Sequence, residues 1–291
     1  MNLFFLTLGF GIVTASVLAL ASVGLSLQFG VTNFVNFAYG AYLAFGMFFT
    51  YTLNSLVHLP FWVAVVLGSL LTGAVSVAVD VTVLEPFVRR RTNGFFMLIV
   101  TFGLQLVMLN LIQAIWGVGF QQFSTGAGNP LVIGPFSFTS DQIGIVVVAA
   151  VAMVLVHLLL TRTTLGKSMR AMSDDASLAR VSGIDTARVT MWTWFVSGCL
   201  GGLGGITLAI NTVSFQAYTG NTFLFVIFAA VIVGGIGKIY GAMLGALAIG
   251  LVVQLSTLWL SSAYNLDIAF AVLVLVLLLR PQGIIATLGK A

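Results

Sequence analysis

Residues 143–160 read IGIVVVAAVAMVLVHLLL, and residues 161–188 follow as TRTTLGKSMRAMSDDASLARVSGIDTAR. The first run carries no formal charge and approaches the ~20 apolar residues that a helix needs to cross the hydrocarbon core. The second holds Arg162, Lys167, Arg170, Arg180 and Arg188. An uncharged run ending on a basic loop is the pattern of a membrane helix that emerges on the cytoplasmic side. Within lipid, only helices and closed barrels satisfy every backbone amide. This run is continuous rather than alternating, and too long for a barrel strand, so it reads as a helix.

The same pattern extends in both directions. Apolar runs occupy 3–27, 35–53, 61–84, 95–116, 189–210, 222–236, 241–260 and 266–279. The chain is 60% hydrophobic and only 6% charged, whereas a soluble domain carries about 25% charged residues. So little polarity cannot cover a water-facing surface. The expectation is an all-α polytopic membrane protein with about eight to ten transmembrane helices. A single transmembrane domain then spans 1–291, with 161–188 as a cytoplasmic hairpin and 117–142 as an external loop. That loop gathers Phe120, Phe123, Phe136 and Phe138 around one charge, Asp141.

If each run crosses once, all eleven Lys and Arg fall on one side, from Arg89–Arg91 through the 161–188 loop to Lys238, Arg280 and Lys290. The positive-inside bias makes that side cytoplasmic, with the amino terminus outside and the carboxyl terminus inside. It also explains the net charge of +4 without a nucleic-acid ligand. Segments 28–53 and 211–238, with their Gly, Asn and short runs, also permit broken or re-entrant helices. No Lys or Arg precedes Arg89, so the first run lacks the basic start of a cleaved signal peptide. Cys199, the single cysteine, excludes an internal disulfide and a multi-Cys metal site. His58 and His157 read as structural.

Several chemistries are excluded by what the runs lack. Ion-coupled carriers hold acidic groups or His near the midplane; here Asp80 and Glu85 approach the cytoplasmic end, Asp141 is external and Asp267 starts the last run. No nucleophile–base or paired-acid constellation suggests an intramembrane hydrolase. Gly237-Lys238 fails the phosphate-loop template, with Ile232 in place of its first Gly and Ile239 in place of its Ser/Thr. Any nucleotide belongs to another polypeptide. Uncharged polar residues do occur within the runs. Asn33, Asn36, Gln105 and Asn211, with Tyr39, form a candidate substrate path, although helix-to-helix hydrogen bonding accounts for each singly. Gly198, Gly201, Gly202 and Gly205, and again Gly241 and Gly245, have the G-x-x-x-G spacing of closely packed helices.

The 161–188 loop reads either as a solvated loop with capped turns or as a structured helical hairpin. Leu165 to Met172 forms one short helix. Ser173 can cap a second, with Asp174 and Asp175 in its first turn and Arg180 in its last, both signs matching the helix dipole. Gly183 suits the left-handed position after a helix, and Asp185 can cap the next membrane helix. Met169, Met172, Ala176 and Ala179 recur at helical spacing, an apolar stripe suited to a partner's groove. The ends of the first and sixth runs, with the short runs that follow, also look alike. Pairing runs one to four with six to nine gives an odd offset, and so an inverted repeat.

The hairpin motif Leu165-Gly166-Lys167-Ser168-Met169-Arg170-Ala171, then Ala176 and Gly183-Ile184, resembles the coupling loop of branched-chain amino acid ABC permeases. So do Asn33–Gly40, Gly234–Gly237 before Gly241, and Arg280-Pro281-Gln282-Gly283. The likeness runs through roughly 20–285 and is nearest the smaller of that system's two permeases. It implies a type II importer in a bacterial inner membrane, with a second permease subunit, two cytoplasmic ATPases and an external binding protein. ATP and Mg would sit on the ATPases, and this chain would hold no cofactor and do no covalent chemistry. Leu165, Gly166, Arg170, Asp174, Ala176 and Gly183 would couple to the ATPase. One departure is Tyr39, where many relatives place His. Relatives also carry urea, short amides and sugars, so a urea or amide permease, or a uniporter, is the alternative to an importer of branched-chain amino acids.

Overall fold

The computed structural model describes residues 3–90, 92–124, 130–133, 136–280 and 283–284. Arg91, residues 125–129, Pro281, Gln282, Lys290 and the side chain of Phe136, all used in the sequence reading, lie outside the described residues. Each apolar run holds a helix. In chain order come α1 (Leu3–Thr32), α2 (Tyr39–Tyr51), α3 (Phe61–Val79), α4 (Glu85–Arg89), α5 (Gly94–Trp116), α6 (Ser140–Arg162), α7 (Thr164–Asp174), α8 (Ala176–Val181), α9 (Thr186–Thr212), α10 (Thr219–Gly234), α11 (Ile239–Ser256) and α12 (Asn265–Leu279). Two π-helical turns, Thr52–Leu56 and Asp80–Leu84, extend α2 and join α3 to α4.

Among the described residues, 7 helical units are long and apolar enough to cross a membrane. The α2 and α10 helices are shorter, and the reason lies in how each begins. After α1 the chain turns at Asn33, with φ 57, and stays non-helical to Ala38. Asn36 holds this passage: its Oδ1 accepts from the Ala38 N–H at 3.0 Å and its Nδ2 donates to Gln28 Oε1 at 3.1 Å. An Asn side chain that replaces a backbone partner is the usual way to stabilise such a turn. By Tyr39 the chain is deep in the molecule, where the hydroxyl donates to the Ala21 carbonyl at 2.9 Å. The α2 helix therefore starts inside the bundle. The α9–α10 junction repeats the design, with Val213 at φ 65 and the Gln216 N–H donating to Thr219 Oγ1 at 3.0 Å.

The packing bears out the inverted repeat. The α1 helix packs on α11 as α9 packs on α3; α2 meets α3 as α10 meets α11; α2 meets α5 as α10 meets α12. A spacing of 180 residues relates Asn33 to Val213 and Gly24 to Gly204 and Gly40 to Gly220. The same correspondence appears in the contacts. Gly68 abuts Thr50 and Gly245 abuts Ala230, while Gly73 abuts Phe195 and Gly250 abuts Ala15. A methyl group at any of the four would overlap its neighbour or press it aside. Close approach by small residues substitutes for the hydrophobic drive that lipid does not supply.

The loop between α5 and α6 holds one element that the residues did not announce, a two-stranded hairpin of β1 (Pro130–Ile133) and β2 (Phe136–Thr139), with Leu131 opposite Phe138. The α6 helix also starts earlier than the apolar pattern indicates. Thr139 and Gln142 form a reciprocal capping box, with the Thr139 N–H donating to Gln142 Oε1 at 3.0 Å. Residues 140–142 therefore belong to the helix and not to the loop.

Candidate functional site: the α7–α8 hairpin and the paired helix starts

The α7 helix folds back onto the end of α6. Thr163 Oγ1 accepts from the Gly166 N–H at 3.0 Å, and any Cβ on Gly166 would overlap the Leu159 carbonyl. Leu165 is half-buried beside it, while Arg170 and Asp174 are exposed. The α8 helix is capped by Asp175, not by Ser173. Asp175 Oδ1 accepts from the N–H groups of Ser177 at 2.8 Å and Leu178 at 3.0 Å, and α7 runs on through Ser173 and Asp174. A carboxylate can take two orphan N–H groups at a helix start, and charge strengthens both bonds. The far end follows expectation. Gly183 has φ 85, and the Ile184 N–H returns to the Ala179 carbonyl at 3.1 Å, the bond of a left-handed helix stop. Asp185 caps α9 through the Arg188 N–H at 3.1 Å.

The apolar stripe faces the other way from its expected role. Met169, Met172 and Ala179 are buried within this chain, where α7 packs on α1, α6 and α9. Helical spacing identifies a shared face but not what covers it. Ala176 alone of the four is exposed. The outward apolar residues are Leu178, 64% exposed, and Val181, 86% exposed. Beside the hairpin lies a cavity of about 960 Å³, reached by Asp80, Glu85, Ala176, Arg180 and Arg188. Glu85 pairs with Arg89 at 2.7 Å on its rim.

The candidate path residues do not converge. Asn33 and Asn211 are exposed. Asn36 is occupied by its turn. Tyr39 is fully buried between α1, α2 and α9, its hydroxyl also 3.4 Å from the Ser197 carbonyl. Gln105 is different. It is buried on α5 and donates from Nε2 to Oδ1 of Asn221 in the first turn of α10, while its Oε1 has no partner among the described residues. Asn221 escaped the sequence reading. Its signal was a polar residue directly after Gly220 at the head of a short apolar run. Gly220 in turn abuts Gly40, so the starts of α2 and α10 meet beside this amide pair.

The loop after α5 is tied to the α9–α10 break. Gln121 and Phe215 exchange two backbone hydrogen bonds, of 2.8 and 3.0 Å. The Phe215 ring lies 5.0 Å from Phe123 and 5.4 Å from Phe48. Phe120 projects outward from the same loop.

Residues 7–279 match the family described as the permease component of the branched-chain amino acid transport system. The chain belongs to that permease family. It is 32% identical over 286 residues to the probable branched-chain amino acid transport permease protein LivH of Methanocaldococcus jannaschii, covering 94% of this chain and 90% of that protein. It is 27% identical to the high-affinity branched-chain amino acid transport system permease LivH of Escherichia coli K12, over 94% and 93% of the two chains. LivM of the same organism is 24% identical, with 90% of this chain and 66% of LivM aligned. In fold it is similar to a chain of PsaBC from Streptococcus pneumoniae, solved in complex with Fab, with TM-score 0.51 and 12% identity over 94% of this chain and 91% of that one. This permease is thus a multi-pass membrane protein and a transport subunit of the ABC importer class.

Proposed function

We propose that this permease is one of two transmembrane subunits of an ATP-driven importer for branched-chain amino acids. An external binding protein delivers the substrate, and two cytoplasmic ATPases hold ATP and Mg. Its similarity to both LivH and LivM supports a paired arrangement of unlike subunits. The placement of basic residues supports an external amino terminus and a cytoplasmic carboxyl terminus.

The observation that carries this reading is the two-sided character of the α7–α8 hairpin. Inwardly, Met169, Met172 and Ala179 fasten it to the core; outwardly, Leu178 and Val181 offer an apolar face on the side rich in Lys and Arg. The caps at both ends make it a rigid lever. A push on α8 then passes into α1 and α9. Those helices lead to the turns at Asn33 and Val213, and so to the starts of α2 and α10. Helix starts of interrupted membrane helices present positive dipole ends that suit a carboxylate, and Gln105 and Asn221 lie beside them to meet the remaining polar atoms of an amino acid. Asn33, Asn36, Tyr39 and Asn211 belong to the moving turns and their packing in this reading.

Uptake by the assembled transporter, with leucine, urea and short amides as competitors, tests the substrate. Competition by leucine is expected; competition by urea or amides alone would assign the permease to that substrate class instead.

A further inference from the structure

Two adjoining cavities near the basic end of α6 are not used by the transport reading. The first, of about 290 Å³, lies between α1, α7 and the start of α11, and has Ser26, Met169, Arg170, Ser173 and Lys238 in its walls. The second, of about 230 Å³, is a groove between α6 and α11 lined by Met153, Val154, His157 and Met243. They share Ile239 and Tyr240. Val154 is exposed on the apolar outer face of α6, so the groove opens toward lipid. Tyr240 Oη lies 2.8 Å from His157 Nδ1 at the junction of the two.

Charge and polarity separate along this path. Among the described residues, neither cavity has an acidic side chain in its walls, whereas the 960 Å³ cavity mixes acids with arginines. The cations stand at one end and the apolar groove at the other. Ser26 also borders the first cavity; its hydroxyl is fully buried and has no hydrogen-bond partner among the described residues.

We propose that the two cavities form one site for an anionic phospholipid. The phosphate sits between Arg170 and Lys238, the glycerol and ester oxygens face Ser173, and an acyl chain follows Met153, Val154 and Met243. Basic pockets between membrane helices on the cytoplasmic side suit such headgroups. Met169, Arg170 and Ser173 belong to α7, so the lipid braces the hairpin from behind. The leaflet assigned to it rests on the orientation proposed above. Binding in detergent has no sidedness, so the site stands or fails apart from that reading.

The test is native mass spectrometry of the full chain in detergent, titrated with palmitoyl-oleoyl phosphatidylglycerol, with phosphatidylcholine of the same chains, and with glycerol 3-phosphate. Phosphatidylglycerol is expected to be retained about tenfold better than phosphatidylcholine, whose choline neutralises the phosphate that the two cations would otherwise attract, and not to be displaced by glycerol 3-phosphate. R170Q/K238Q should abolish that preference, R170K/K238R should restore it, and R162Q/K167Q, an equal loss of charge outside both cavities, should keep it. Should R170Q/K238Q misfold, V154W still decides, because filling the groove must lower phosphatidylglycerol retention. Equal retention of the two lipids, an equal effect of R162Q/K167Q, displacement by glycerol 3-phosphate, or wild-type retention by V154W would each overturn the proposal.

Discussion

Gly40 and Gly220 abut one another at the centre of the permease, each in the first turn of a short helix and each the counterpart of the other in the inverted repeat. A Cβ added to Gly220 would overlap the Gly40 carbonyl, and one added to Gly40 would stand 3.1 Å from the Asn221 Cα. Both obstacles are backbone, which cannot rotate away as a side chain can. Gly220→Ala is therefore expected to lower folded stability by about 1–3 kcal/mol, the usual cost of overpacking. Gly103→Ala, on α5 with nothing within 4 Å, should be neutral or slightly stabilising, since Ala favours helix by ~1 kcal/mol over Gly. Thermal unfolding of the two variants in detergent checks this, and similar midpoints for both would remove the close contact as a structural determinant.

The Gln105–Asn221 amide pair leads to a second prediction. Gln105→Ala and Asn221→Ala should each raise the KM for uptake about tenfold at unchanged membrane abundance, if each removes one hydrogen bond of ~1 kcal/mol or slightly more. The double variant should lose little beyond either single one, because the two side chains act as a unit. Strictly additive losses would mean that the pair does not work together on the substrate.

At the hairpin, Leu178→Glu and Val181→Glu place charge on the outward apolar face of α8 without touching the buried stripe. They should preserve expression while reducing copurification of the ATPase and substrate-stimulated ATP hydrolysis. Ala176→Trp should act in the same direction by filling the adjoining cavity. Gly183→Val should do so by forcing a β-branched residue to φ 85, a strain of roughly 1–2 kcal/mol. Normal association and hydrolysis in all four would sink the hairpin as the coupling element.

Topology can be read with single cysteines in a Cys199→Ser background. Ser182→Cys on the hairpin and Ser124→Cys on the loop after α5 are exposed and should label from opposite faces of the membrane, Ser182→Cys from the cytoplasm. Labelling of both from one face would contradict the crossing pattern, since α6 alone separates that loop from the hairpin.

Much of the candidate site was legible residue by residue. Gly183 and Asp185 occupy the roles their chemistry suggests, because a left-handed stop and an N-cap are local backbone problems with few solutions. The cap of α8 was misplaced by two residues, from Asp175 to Ser173, since Ser and Asp both cap and only the built helix decides which one does. The direction of the Met169–Met172–Ala179 stripe was not legible. Periodicity places the three on one face, and whether this chain or another covers that face depends on the path of α1 and α9.

By itself the sequence determined that this chain lies in a membrane and that its apolar runs form helices. Those properties follow from desolvation of backbone amides and charges, which depends on composition along each run and on little else. Tertiary structure alone decided that α2 and α10 begin inside the bundle, that Gly40 meets Gly220 and that Asn221 reaches Gln105. Lipid and protein interior are equally apolar, so a membrane helix that is hydrophobic all round carries no mark of which side faces its neighbours. Those faces are selected by glycine-to-backbone contacts between helices far apart in the chain, such as Gly250 on Ala15 and Gly73 on Phe195, and they exist only once both halves of the repeat have packed together.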